Sequence, residues 1–442
     1  MQTSFFYLLV LLIASIILII LLTTKYKVPA FFALLIACFV MGIGSLMPVA
    51  EIISVVKLGF GNIMQSLGLV IVLGTTLGVL LEYSGSTHTM AGYILKKAGD
   101  RHASFAMSIT GFIVGMPIFC DSGYIVLNGL NQTLAKRTAT SVVAMSVSLA
   151  TGLYSVHCLI PPHPGAATAA GVIGTDFGRL IVYGIIVAIP GMLAGHWWAK
   201  HFSKSITDIQ ADTNTAHFQP LQRSVALAFL PVLVPIILIA MRSFLSLDAN
   251  TGVGWQKILL AAGDPVIALS IGIVLAFLGT KWTRKAVAKL LQDSVEKAGS
   301  ILVIIGAGGA FGAVLAATKT GNHFSEVMPL ASMGILFPFL LTSVLKTAQG
   351  SSTVAIITAA SIVQPLLPAL ALTSENGRLL CMLSMGAGSM MISHANDAYF
   401  WVIARFSGID LKTMLRCYSV ATIFMGLITL AMVYVLSFLL HH

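Results

Sequence analysis

The sequence predicts an all-α polytopic membrane protein with about ten crossing helices and two re-entrant hairpins, arranged as two inverted halves. Three observations carry that prediction. Hydrophobic residues fill 57% of the 442 positions and charged ones only 9%, with a mean hydropathy of +0.95, a balance foreign to a water-soluble domain of this length. Two long apolar segments hold a Gly/Ser cluster at their middle where a basic loop would be expected. Most of the 25 Lys and Arg residues fall on one side once those two segments are read as hairpins.

Apolar runs able to cross about 30 Å of hydrocarbon, at about 1.5 Å per helical residue, lie near 5–22, 28–48, 58–83, 138–175, 177–199, 224–244, 258–279, 298–318, 379–404 and 418–440. The first has no basic flank before it and no small-residue cleavage site after it, so it reads as a span and not as a removable signal. Segments 103–135 and 331–370 are each long enough for two arms and are read as entering and leaving on one side. Non-helical backbone at that depth is tolerated only where protein or a water-filled cavity surrounds it. Two spans are broken. Pro161, Pro162 and Pro164 remove helical hydrogen bonds within 138–175, and the polar run Ser393-His394-Ala395-Asn396-Asp397 interrupts 379–404.

With the N-terminus outside, the inner loops collect Lys25, Lys27, Lys96, Lys97, Arg101, Lys136, Arg137, Lys200, Lys204, Arg223, the bases from Lys281 to Lys297, Arg405, Lys412 and Arg416, as the positive-inside rule requires. Counting either hairpin as one crossing flips everything after it and degrades the segregation. The chain then divides into a first span and inner loop (1–27), a first repeat (28–200), a cytoplasmic linker with a connecting span (201–257) and a second repeat (258–442), with both termini outside. Each repeat has two spans, a hairpin, a broken span and a further span, and the two start on opposite sides. Many secondary transporters use such inverted repeats to place a substrate site near the midplane, between discontinuous helices. A short echo, LGVLLEYSG at 77–85 against FGAVLAATKTG at 311–321, agrees. The polar stretch 203–223 reads as a solvated connector.

The net charge of +10 would suggest nucleic acid in a soluble protein; here the bases sit in short loops and set orientation, so the expected partner is the lipid bilayer and not nucleic acid. Cys38, Cys120, Cys158, Cys381 and Cys417 stand singly, without CxxC spacing, and read as small buried hydrophobes. No GxxxxGK[ST] run offers a motif for ATP-driven pumping. His157 and His163 lack a third ligand at a suitable spacing, so neither a metal nor a cofactor is expected.

Of the 15 acids, all but Asp121 and Asp397 fall at span ends, in loops or on amphipathic segments. An ionisable group at membrane depth is costly and is a functional candidate by default. Asp121 lies in GMPIFCDSGYIVL (115–127), where it is also placed to cap a helix start, with Gly123 permitting a tight reversal. The second tip, Lys346 to Thr353, combines a cation with small hydroxyl residues opening an apolar arm, an arrangement suited to an anion, although Ser and Thr also let helices pack closely in lipid. Candidate substrate-binding residues are Ser122 and Gly123 at the first tip, Lys346, Gln349, Gly350, Ser351, Ser352 and Thr353 at the second, and His394 and Asn396 on the second broken span. Candidate proton-coupling residues are Asp121, Asp397, His157 and His163. Few carboxylates in mostly apolar surroundings favour the proton as driving ion; a sodium site would need several converging carbonyls.

Four stretches in order, GMPIFCDSGYIVL, HCLIPPHPG, AQGSSTVAIITAA and SHANDAYFW, make the chain resemble the gluconate:proton symporter family of bacterial permeases, within the wider ion-transporter superfamily, over nearly its whole length. The resemblance implies proton-driven import of gluconate or a related hydroxylated organic acid, glycerate-like and amino-acid substrates included, across the bacterial inner membrane. It also implies a homodimer with a scaffold domain and an elevator-type transport domain bearing both hairpins. The chain departs from the family pattern in places. Members vary between Asp and Glu at the position of Asp121, usually have Val where Ser122 stands, often show Pro-Gly-Pro for Pro164-Gly165-Ala166, and often have Arg where Lys346 stands. A Lys point charge does not replace a bidentate Arg, so these departures leave the substrate open. The alternatives are a sodium-coupled carboxylate transporter and an intramembrane enzyme using Asp121 and Asp397 as a catalytic pair; the latter leaves the anion-suited tip and the repeat unexplained.

Overall fold

The structure, a computed structural model, describes residues 5–99, 102–203, 224–245, 254–280, 282–318, 330–395 and 397–440. Regular structure among them is helical throughout. Two apolar helices, α1 (Phe5–Thr24) and α2 (Ala30–Gly44), precede α3 (Val49–Tyr83). The third is longer than its apolar run, which begins near 58. Pro48 stands just before its first turn, nothing between Val49 and Leu58 breaks it, and Glu51 and Lys57 ride on its outer portion. Gly85, with φ +69, turns the chain into α4 (Ser86–Ala98).

The first hairpin segment, read from the sequence as 103–135, comprises α5 (Ala103–Gly115) and α6 (Cys120–Arg137), the second arm running two residues further. The first broken span is α7 (Val142–Leu159) and α8 (Pro164–Ile173), interrupted at the prolines. Then come α9 (Phe177–Ser203) and α10 (Val225–Leu245); most of the connector between them lies outside the described residues. Helices α11 (Gly254–Ala262) and α12 (Pro265–Phe277) meet at a 74° bend, where Asp264 caps α12 by accepting from the Val266 N–H at 3.0 Å.

Next is α13 (Arg284–Ala317), capped by Thr283 and continuous through residues expected to form a loop. After α14 (Leu330–Met333), the second hairpin is α15 (Leu336–Gln349) and α16 (Ser352–Val363). The second broken span is α17 (Glu375–Met390) and α18 (Ala398–Ser407). The short α19 (Leu411–Met414) passes through a π turn into α20 (Val420–Leu440).

Among the described residues, six helices are long and apolar enough to cross a membrane, or seven when α11 and α12 count as one span. The chain is therefore a multi-pass membrane protein. The other crossings in the expected ten fall on α1, on the 15-residue α2 and on the interrupted α17–α18. At about 1.5 Å per residue, α2 extends only about 22 Å.

Glycines set how closely these helices approach. Helices α3 and α13 run antiparallel: a Cβ on Gly59 would lie 2.6 Å from the Gly309 carbonyl oxygen, while Tyr83 at the far end reaches Asp293. The hairpin arm α5 seats on α7 in the same way, Gly111 facing the Leu149 carbonyl and Gly152 facing that of Ser108. Every residue of α7 is buried. It forms the centre against which the hairpin arm, α9, the other half of its own broken span and the second broken span pack. Small residues at helix contacts replace the hydrophobic drive that lipid does not supply.

Candidate functional site

The first tip forms where residues 116–119 leave helical geometry and α6 begins at Cys120. The extended N-cap residue, Phe119, offers no side-chain cap, and Asp121 sits in the first turn of α6. There the positive end of the helix dipole favours negative charge. Cys120 Sγ lies 3.9 Å from Asp121 Oδ1. Ser122 Oγ accepts from Lys297 Nζ at 3.5 Å. Gly123 does not make the expected tight reversal. Its φ is not positive, its N–H bonds Phe119 within the helix at 2.8 Å, and the position needs a small residue because a Cβ would meet Leu153 Cδ2 at 2.8 Å.

At the second tip Gly350 ends α15 with φ +82, a left-handed conformation suited to glycine. Ser351 then caps α16, its hydroxyl accepting from the Val354 N–H at 3.3 Å. Lys346 is fully buried. Its ammonium donates to Asp397 Oδ2 and to the Gly350 carbonyl, both at 2.7 Å. Both amide heteroatoms of Gln349 are shielded and have no hydrogen-bond partner among the described residues. Ser352 is buried beside them.

Each broken span closes on a hairpin. In the first, His163 donates its Nε2–H to the Gly115 carbonyl at 2.6 Å, holding the end of α5. His157 Nε2 lies 3.4 Å from Thr353 Oγ1 on the second tip, while its Nδ1 is buried without a partner among the described residues. The two imidazole rings are 4.8 Å apart. In the second span, Asp397 caps α18 by accepting from the Tyr399 N–H at 2.9 Å, and also accepts from the Ser393 hydroxyl. His394 donates its Nε2–H to the Thr347 carbonyl at 2.9 Å. Asn396 lies outside the described residues.

The structure thus joins the second tip to both broken spans, and the first tip to Lys297 on α13. Sequence reasoning passed over a group of buried tyrosines that ties these pieces together. Tyr154 stacks on His157 and on Tyr399, and Tyr399 meets Tyr124 edge-on. The Tyr124 hydroxyl meets that of Ser407, and Asn128 Nδ2 donates to the Phe406 carbonyl at 2.8 Å. The signal was present: Tyr124 follows Asp121 by one helical turn, and Tyr399 lies two residues beyond Asp397.

Two hairpins meeting two interrupted helices inside a bundle of apolar spans define a membrane transporter of the discontinuous-helix class. The sequence pattern of the GntP family permeases matches residues 7–439, and the chain belongs to that family. It is 32% identical over 428 residues to a gluconate permease of Pseudomonas aeruginosa, covering 94% of each chain. It is 30% identical over 427 residues to the D-serine transporter DsdX of Escherichia coli O6:H1, covering 94% of this chain and 95% of that one. Its backbone resembles the YdaH transporter of Alcanivorax borkumensis, with a TM-score of 0.63 at 15% identity over 88% of this chain and 89% of that one. It also resembles MtrF of Neisseria gonorrhoeae, with a TM-score of 0.62 at 15% identity over 87% and 83%. These last two likenesses show the fold.

Proposed function

We propose that the protein is a proton-coupled symporter that imports gluconate or a related hydroxylated organic acid across the inner membrane. One contrast carries the reading. Asp397 is paired with a buried lysine, whereas Asp121, among the described residues, makes no ion pair and sits on a hairpin tip. A monoanion crossing a low-dielectric site beside an ionised carboxylate meets repulsion added to desolvation. Protonating Asp121 removes that charge and couples the two fluxes. His157, whose Nδ1 has no partner among the described residues, is the proposed relay; His163 and Asp397 hold the broken spans in place. Ser122, Gln349, Ser351, Ser352, Thr353, His394 and Asn396 are the proposed ligand groups, with Gly123 and Gly350 allowing close approach. Lys346 positions the second tip through Asp397.

In this reading the chain is an inverted repeat of 28–200 and 258–442, with both termini outside. The hairpins and broken spans move as an elevator against α3 and α13, in a homodimer. Relatives named for gluconate and D-serine support this substrate range. The test is uptake by proteoliposomes offered gluconate, glycerate, hydroxybutyrate and D-serine under imposed gradients. Accumulation that follows an inward proton gradient and collapses with a protonophore is expected. Accumulation driven by sodium without a pH gradient overturns the coupling, and transport of none of the four overturns the substrate class.

A further inference from the structure

A substrate carboxylate needs a cation, and Lys346 already spends two of its three N–H donors on Asp397 and Gly350. A second ammonium stands at the first tip. Lys297 Nζ lies 3.5 Å from Ser122 Oγ and 3.6 Å from Glu82 Oε2, linking α13, α6 and α3. Its i,i+4 neighbour on α13 is Asp293, the placement that ordinarily pairs along a helix. Asp293 is instead held by the Tyr83 hydroxyl at 2.5 Å. The lysine therefore reaches away from its own helix toward the hairpin. Its side chain stays 40% exposed while that of Glu82 is 23% exposed. An ion pair this long and this open is weak and readily exchanges one carboxylate for another.

We propose that Lys297 is a specificity-determining residue that receives the carboxylate of a 2-hydroxy acid while Ser122 bonds its 2-hydroxyl, the substrate displacing Glu82. This rests on the transport reading above and names the chemical feature selected. Carboxylate and 2-hydroxyl are adjacent on such an acid, and an ammonium 3.5 Å from a serine hydroxyl presents a matching pair of polar groups. Glu82 is the resident competitor that keeps the lysine from standing as an unpaired charge when the site is empty.

The experiment measures half-saturating gluconate in proteoliposome exchange for wild type, Lys297→Gln, Glu82→Gln, the double variant and Ser122→Ala, with 2-deoxygluconate as the comparison substrate. Lys297→Gln is expected to raise the half-saturating concentration at least tenfold. Glu82→Gln, which removes the competitor, lowers it severalfold, and the double variant stays weak. Ser122→Ala erases much of the preference for gluconate over 2-deoxygluconate. If Lys297→Gln is wild-type in affinity, or if Glu82→Gln restores it in the double variant, Lys297 serves only the ion pair and the proposal fails. If Lys297→Gln does not fold, Glu82→Gln decides: an unchanged or raised half-saturation overturns the proposal. Wild-type protein that exchanges neither acid overturns the transport reading as well, so the two failures are distinguishable.

Discussion

Lys346 and Asp397, 51 positions apart, form a buried ion pair with Nζ 2.7 Å from Oδ2. It fastens the end of α15 to the start of α18, so the second tip and the second broken span are one mechanical unit. Removing one partner strands a charge where solvent cannot reach it, at a cost of about 3–5 kcal/mol. Lys346→Gln and Asp397→Asn should each lower the thermal midpoint in detergent strongly, and the double variant should recover much of the loss. A Lys346→Gln protein that melts like wild type but binds gluconate weakly would return Lys346 to direct ligand contact.

Asp121→Asn mimics the protonated acid. Substrate exchange between the two sides should persist, because the charge is absent throughout the cycle, while accumulation driven by a pH gradient should disappear. Exchange and gradient-driven uptake are measured on the same proteoliposomes. Uphill accumulation with wild-type pH dependence would exclude Asp121 as the coupling group.

Close approach of α5 and α7 should make Gly152 irreplaceable. A Cβ there collides with the Ser108 carbonyl oxygen, a backbone atom that cannot swing aside, whereas Gly61 on α3 has nothing within 4 Å. Gly152→Ala should displace the hairpin arm and lower both the thermal midpoint and transport. Gly61→Ala should be neutral or stabilise by about 0.5–1 kcal/mol through helix propensity.

Asp410 caps α19, its Oδ1 accepting from the Thr413 N–H at 3.1 Å. Hydrogen bonds from Thr413, side chain first, hold its carboxyl below the usual value. A carboxyl depressed in the folded state contributes stability that is fully present above its unfolded value, about 3.9, and is lost as pH falls through the folded one. Asp410→Ala should therefore cost about 1 kcal/mol at neutral pH. The gap between the two melting curves should narrow only below about pH 4.

Much of this protein was legible in its residues because the signals are local. Apolar runs mark spans, Pro161-Pro162 and Pro164 mark a break whatever surrounds them, and a Gly/Ser cluster inside an apolar run marks a turn. Asp121 and Asp397 stood out because a carboxylate at depth is anomalous by itself. The outer portions of α3 and α13 were not legible as helix, since hydropathy reports lipid contact and not helical continuity.

Other features were settled only by folding. Asp397 reads in sequence like Asp121, yet it acquires a lysine from 51 positions away and a cap role on α18. Ser122 meets an ammonium from 175 positions downstream. Gly123 answers to Leu153 and not to a turn. Backbone conformation follows from neighbours along the chain, so composition and spacing determined which stretches are apolar helix and where the helices break. Which buried charge is neutralised depends on what the packed helices bring within a few ångströms of it, where low dielectric makes each such contact strong. Only the tertiary structure decided that.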